Sequence, residues 1–71
     1  MATPVAAHIT GTVWKIAVHV GDPVVEGQTL AILESMKMEM PLEAPVAGQV
    51  VTIAVAEGQA VNEGDVLLTL A

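Results

Sequence analysis

Leu30-Ala31-Ile32-Leu33-Glu34-Ser35-Met36-Lys37-Met38-Glu39-Met40-Pro41-Leu42 is the stretch from which the fold can be read. Leu30 to Leu33 form a short apolar run of the kind found in buried strands, and a second extended segment through Met40 and Leu42 follows after only a few residues. Two such segments so close together close as a hairpin, whose turn is expected to hold Met36, Lys37 and Met38. None of these three is a turn former of the Asn, Gly or Pro kind. A tip that forgoes favourable turn residues and sets a cation between two thioethers breaks a local rule, and local rules are broken most often at functional sites. The chain has only two basic residues, Lys15 and Lys37, which makes Lys37 the candidate site rather than one more solvated lysine.

Outward from the hairpin, the sequence repeats with an offset of 37 residues. Gly11, Gly21 and Gly27 return as Gly48, Gly58 and Gly64; Val13, Ile16, Val18, Val24, Leu30 and Leu33 return as Val50, Ile53, Val55, Val61, Leu67 and Leu70. Each copy, about 5–36 and 42–71, carries extended segments separated by Gly-containing turns, the pattern of all-β structure. Neither half can bury its apolar face alone, so the halves are expected to stack as a two-sheet sandwich or flattened barrel with pseudo-twofold symmetry and a shared core. That symmetry places the centre of the sequence and the termini at opposite ends of the molecule, with Lys37 projecting away from Ala71.

At 71 residues the chain reads as one domain, burying about 60% of its unfolded surface. Trp14 is its only aromatic residue, so twelve valines with isoleucine, leucine and alanine must build the core. There is no cysteine, hence no disulfide, thiol nucleophile or thiolate metal site. His8 and His19 have no recognisable metal spacing, so no metal is expected. A net charge of −6 argues against nucleic acid, whose phosphates are bound by Lys and Arg. With no basic residue before Lys15 and no apolar stretch long enough for a signal core or membrane span, a soluble, cytoplasmic, monomeric protein without membrane contact is expected. No nucleophile-base pair or phosphate loop is present, so the chain is not expected to be an enzyme by itself.

Residues 1 to 4 read as a fraying lead and Val5 to Ile9 as the first strand. Within Val13 to Val18 the apolar positions step by three and then by two, and Val50, Ile53 and Val55 repeat the irregularity. A bulge or strong twist that keeps all three side chains inward accounts for both. Trp14 is expected to be partly buried rather than to stack on a base. Positive φ is expected at the glycine turns, Gly48 included.

Glu34-Ser35-Met36-Lys37-Met38-Glu39 resembles the biotin attachment motif, usually (Ala or Ser)-Met-Lys-Met, of the biotinyl/lipoyl domain family, and Glu43-Ala44-Pro45-Val46-Ala47-Gly48 resembles the Ala-Pro-x-x-Gly stretch common there. The likeness covers essentially the whole chain. It implies a barrel-sandwich hybrid of two four-stranded antiparallel sheets, and a lysine, here Lys37, that carries biotin through an amide bond made by a biotin protein ligase. The implied function is that of a biotin carboxyl carrier, moving a carboxyl group between the biotin carboxylase and carboxyltransferase sites of a biotin-dependent carboxylase. Met36 and Met38 then offer partner enzymes an adaptable apolar contact, and Ser35, Glu34 and Glu39 complete the recognition motif without a catalytic role. Two alternatives stay open: a lipoyl or dual biotin/lipoyl carrier, and an unmodified hammerhead-type structural module. Lipoyl domains set their lysine after Asp or Glu and follow it with Ala, unlike the paired methionines here. The hammerhead module expects a helical hairpin where this chain has only a tip.

Overall fold

The computed structural model describes residues 2–71. Eight strands follow one another in the order β1 (Thr3–Ala6), β2 (Gly11–Ile16), β3 (Pro23–Val24), β4 (Thr29–Ser35), β5 (Met38–Glu43), β6 (Gly48–Ile53), β7 (Ala60–Val61) and β8 (Val66–Leu70). They make two four-stranded antiparallel sheets, β1-β8-β6-β3 and β5-β4-β2-β7. Between the sheets lies a core of aliphatic side chains, of which Leu30, Leu33, Leu67, Leu68, Leu70, Val13 and Val50 are the largest that are fully buried. No polar or charged residue is buried among the described residues, so the core depends on apolar burial alone.

The 37-residue repeat is written into the pairing register. Leu33↔Met40, Ile32↔Pro41 and Ala31↔Leu42 in β4–β5 recur as Leu70↔Thr3, Thr69↔Pro4 and Leu68↔Val5 in β8–β1. The register shift between Val13 and Lys15 recurs between Val50 and Thr52, which is the bulge that the three-then-two spacing calls for. It leaves Val13, Val18 and Val50 buried, with Ile16, Ile53 and Val55 packed against the core. Trp14 sits inside the bulge, 49% exposed, so its indole is only about half covered. Even the turn braces repeat: Asp22 Oδ2 accepts from the His19 N–H at 2.9 Å and Gln59 Oε1 from the Ala56 N–H at 3.2 Å. Gln28 Oε1 and Asp65 Oδ2 do the same for the Val25 and Asn62 N–H groups.

Three expectations are corrected. First, β1 begins at Thr3 and ends at Ala6, rather than running from Val5 to Ile9; Thr3 and Pro4 pair with Leu70 and Thr69 and are no loose lead, while residue 1 lies outside the described residues. Pro4 is tolerated because β1 is an edge strand, where one face of the backbone needs no partner. Second, the copies do not form one sheet each. The Gly21 N–H donates to the Val50 carbonyl at 2.7 Å and the Val50 N–H to the Asp22 carbonyl at 2.9 Å, tying β3 to β6; the Gly58 N–H and Val13 N–H bonds tie β7 to β2 in the same way. Each sheet thus takes two strands from either side of the tip, and the short strands β3 and β7 cover the edges of β6 and β2. Third, Gly48 has no positive φ; a Cβ there would come within 2.5 Å of the Ala71 carbonyl oxygen, so close backbone approach, not turn geometry, excludes a side chain.

These pairings fix the long axis, along which the molecule extends 33 Å. The β4–β5 tip lies beside Gly11, whose Cβ would run into the Glu34 carbonyl, and the C-terminus lies beside Gly48 in the equivalent place. Both β2 and β4 run between these ends, and past them β3 pairs with Gly48 and Gln49. The tip and Ala71 are therefore at opposite ends.

Candidate functional site

Strand pairing in the β4–β5 hairpin continues to its last possible rung, Ser35↔Met38, so the turn is two residues long. Met38 belongs to β5 rather than to the turn, correcting the three-residue expectation. A two-residue loop follows the twist of the strands best in a mirror-image turn, and the type I′ form demands positive φ at both central residues and normally recruits Asn-Gly. Here Met36 and Lys37 take it, with φ of 51° and 67°, and they are the non-glycine residues with positive φ among those described. A left-handed residue with a Cβ costs about 1–2 kcal/mol. The strain is local to the apex and is carried by the two strands below it.

The hairpin has two faces. Glu34 and Glu39 are directly opposite one another, both exposed, with Thr12 of β2 opposite Glu34 on its other side. Two like charges at a cross-strand position repel and repay nothing to the fold. On the other face Ser35 and Met38 stand opposite one another, and Met40, opposite the buried Leu33, continues the core-facing row of β5 past the end of the core. Ile9, from the β1–β2 connection, closes the side, leaving an open depression of about 180 Å³ lined by Ile9, Ser35, Met36, Met38 and Met40.

Lys37 stands exposed at the apex between Met36, 92% exposed, and Met38, 60% exposed. The side-chain ion pair among the described residues is His19 Nδ1 with Asp22 Oδ2 at 3.7 Å, in a distant loop, so no carboxylate of this chain holds the Lys37 amine. The amine therefore projects from the apex exposed and without an ion-pair partner among the described residues. No group of three or more His, Cys, Asp or Glu among the described residues is placed to hold a metal. The structure thus brings Glu34, Ser35, Met36, Lys37, Met38 and Glu39 together on one hairpin end, the two glutamates on one face and Ser35 with Met38 on the other. Reading along the sequence missed Ile9, Met40 and Gly11. The alternation Ser35, Met38, Met40 across the turn was the available signal for the apolar face; Ile9 is brought there by tertiary folding alone.

Residues 1–70 match the family model for biotin/lipoyl attachment, described as "Biotin-requiring enzyme". The chain is 49% identical over 67 residues to the biotin/lipoyl attachment protein of Bacillus subtilis (strain 168), covering 94% of this chain and 92% of that one. It is 50% identical over 70 residues to the biotin carboxyl carrier protein of Streptococcus mutans, covering 99% of this chain and 54% of the relative. Its fold superposes on the urea carboxylase of Kluyveromyces lactis with a TM-score of 0.94 and 34% identity, covering all of this chain and 6% of that one. The chain spans about half of the S. mutans carrier and a small part of the carboxylase. On the match along nearly its whole length, the chain belongs to the biotin/lipoyl attachment family.

Proposed function

We propose that Lys37 is the attachment residue for biotin and that the chain serves as the carboxyl carrier of a biotin-dependent carboxylase. The observation that carries this reading is an unpaired lysine at the apex of a strained two-residue turn, flanked by two exposed methionines, on an otherwise closed scaffold. The residues fit such a group: the amine is open to solvent, and an apolar depression lies beside it.

Attachment requires Lys37 Nζ to form an amide with a carboxyl activated as its adenylate, AMP leaving and the amine giving up its proton. An exposed lysine amine is protonated at neutral pH, so the base that frees it belongs to the biotin protein ligase. Glu34 and Glu39 serve recognition, together with Ser35; Met36 and Met38 give the ligase a deformable apolar contact. When bound, biotin supplies the ureido nitrogen on which a carboxyl group travels from a biotin carboxylase to a carboxyltransferase. This chain contributes no catalytic group. It contributes reach, because a flexible arm on a rigid tip raises the local concentration at each enzyme site to about the millimolar range. On this reading residues 1–71 act as one carrier domain, monomeric alone and working in the cytoplasm.

The name of the B. subtilis relative keeps lipoate as a second cargo for the same lysine. Co-expression with biotin ligase or, separately, lipoate ligase, followed by intact mass, tests both. The reading predicts full modification by biotin ligase and none in Lys37→Arg. Modification by lipoate ligase alone would overturn the carboxyl-carrier assignment.

A further inference from the structure

We propose that Met36 and Met38 are a site of reversible oxidation by hydrogen peroxide, and that their sulfoxides hold the chain back from the enzyme that acts on Lys37. The inference rests on Lys37 being the acceptor. Its support is where the chain keeps its sulfur. Of the four methionines, three fall between residues 36 and 40, and there is no cysteine. The buried core consists of valine, leucine and alanine alone. Among the described residues, therefore, no thioether fills a gap in the core, which is the ordinary use of methionine. The sulfur atoms gather at the tip instead. Met36, 92% exposed, and Met38, 60% exposed, are open to a small solute, while Met40 is half-buried opposite Leu33.

In the step itself the thioether sulfur attacks one oxygen of the peroxide, so that an S–O bond forms and the O–O bond breaks. The hydroxyl now on sulfur passes its proton to the departing hydroxide, leaving one sulfoxide and one water. Sulfur gives up an electron pair and the peroxide gains it. Thiol-dependent sulfoxide reductases reverse the change, one enzyme for each epimer at sulfur. A flexible apolar side chain thereby becomes polar and chiral, which disrupts a packed core. Here it leaves the core untouched, because Met36 buries almost nothing and holds the turn through its backbone. What changes is the surface around the lysine. Met36 and Met38 flank Lys37 in the chain and line the depression, whose other walls are Ile9, Ser35 and Met40. A sulfoxide oxygen there must be stripped of water before another protein can close over the tip. Oxidation thus acts on encounter and not on stability.

The test treats the full chain with hydrogen peroxide and removes the oxidant with catalase before biotin ligase is added. Peptide mapping locates the added oxygens, circular dichroism follows the fold, and the initial rate of biotinylation reads the tip. Met36 and Met38 are expected to take oxygen ahead of Met40, with the spectrum unchanged. Ligation then slows about tenfold, the factor that follows from spoiling part of one buried methionine contact, and the two sulfoxide reductases restore it. In Met36→Leu/Met38→Leu, peroxide leaves the variant's own rate where it began, whatever that rate is. Oxygen appearing first on Met40, an unfolded spectrum after oxidation, or an undiminished rate on chain carrying both sulfoxides would each overturn the proposal while leaving the attachment reading intact. A loss of rate that persists in the double variant would place the sensitive group elsewhere and overturn it as well. An untreated chain that active ligase leaves unmodified would overturn the attachment reading, and this proposal with it.

Discussion

Replacing Met36 by glycine should stabilise the unmodified protein, although it removes a large side chain from an apolar-rich chain. Met36 is 92% exposed, so its loss forfeits almost no burial. Its φ of 51° costs about 1–2 kcal/mol that glycine does not pay. Against this, glycine gives the unfolded chain more freedom to lose, about 0.4–1 kcal/mol. The net is a gain of about 0.7 kcal/mol, which in a domain of this size raises Tm by about 3–6 °C. Thermal unfolding followed by circular dichroism measures it, with Met38→Gly as the control. Met38 lies in β5, so glycine there should destabilise by about 0.5–1 kcal/mol. If Met36→Gly lowers Tm as Met38→Gly does, the strain assigned to the apex is not there. The same variant should be biotinylated more slowly, because the ligase loses an apolar contact; faster or unchanged ligation would separate the strain from recognition.

Other substitutions probe the scaffold and the presentation of the lysine. Gly48→Val should destabilise by about 1–3 kcal/mol through collision with the Ala71 carbonyl, and a Tm equal to wild type in a thermal melt would refute the close approach. Leu33→Ala should cost about 2–5 kcal/mol by opening a cavity under the hairpin, a large share of the total stability of a chain this short; a denaturant midpoint shifted by less than Ile32→Ala would contradict the inward face assigned to Leu33. Glu39→Gln should relieve repulsion with Glu34 and stabilise by no more than a few tenths of a kcal/mol, the gain shrinking in high salt; an equal gain in Glu34→Gln/Glu39→Gln over Glu34→Gln would show that the two charges do not interact. Exchanging Lys37 and Met38 should keep the fold and sharply slow ligation, since the amine then leaves from a strand position rather than the apex; equal labelling rates would refute the need for the turn.

Much of the architecture could be read before any coordinates because the chain states it twice. The offset of 37 reappears rung by rung in the pairings, and the irregular spacing of Val13, Ile16 and Val18 is the bulge at Val13 and Lys15. What escaped is non-local. Nothing in Pro23-Val24 announces that it will pair with Gly48 and Gln49 instead of its own copy, because two residues carry no periodicity. Pro4 obscured β1 since proline argues against a strand until the strand is known to be an edge; Pro41 and Pro23 also sit on edge strands. Gly48 was read as a turn glycine because sequence cannot tell a positive φ from a neighbouring carbonyl. At the tip, the residues were legible and the geometry was not. Met36-Lys37 has no turn signature, so the two-residue turn follows from the register of the strands below it. Ile9 reaches the tip through a loop, which no local pattern encodes.

The most direct test of the central claim is tandem mass spectrometry of the chain after co-expression with biotin ligase, fragmenting the peptide that spans β4 and β5. The account predicts a single biotinyl group on Lys37 Nζ. A biotinyl group on Lys15 or the N-terminal amine with Lys37 unmodified, or an unmodified chain in the presence of active ligase, would contradict it.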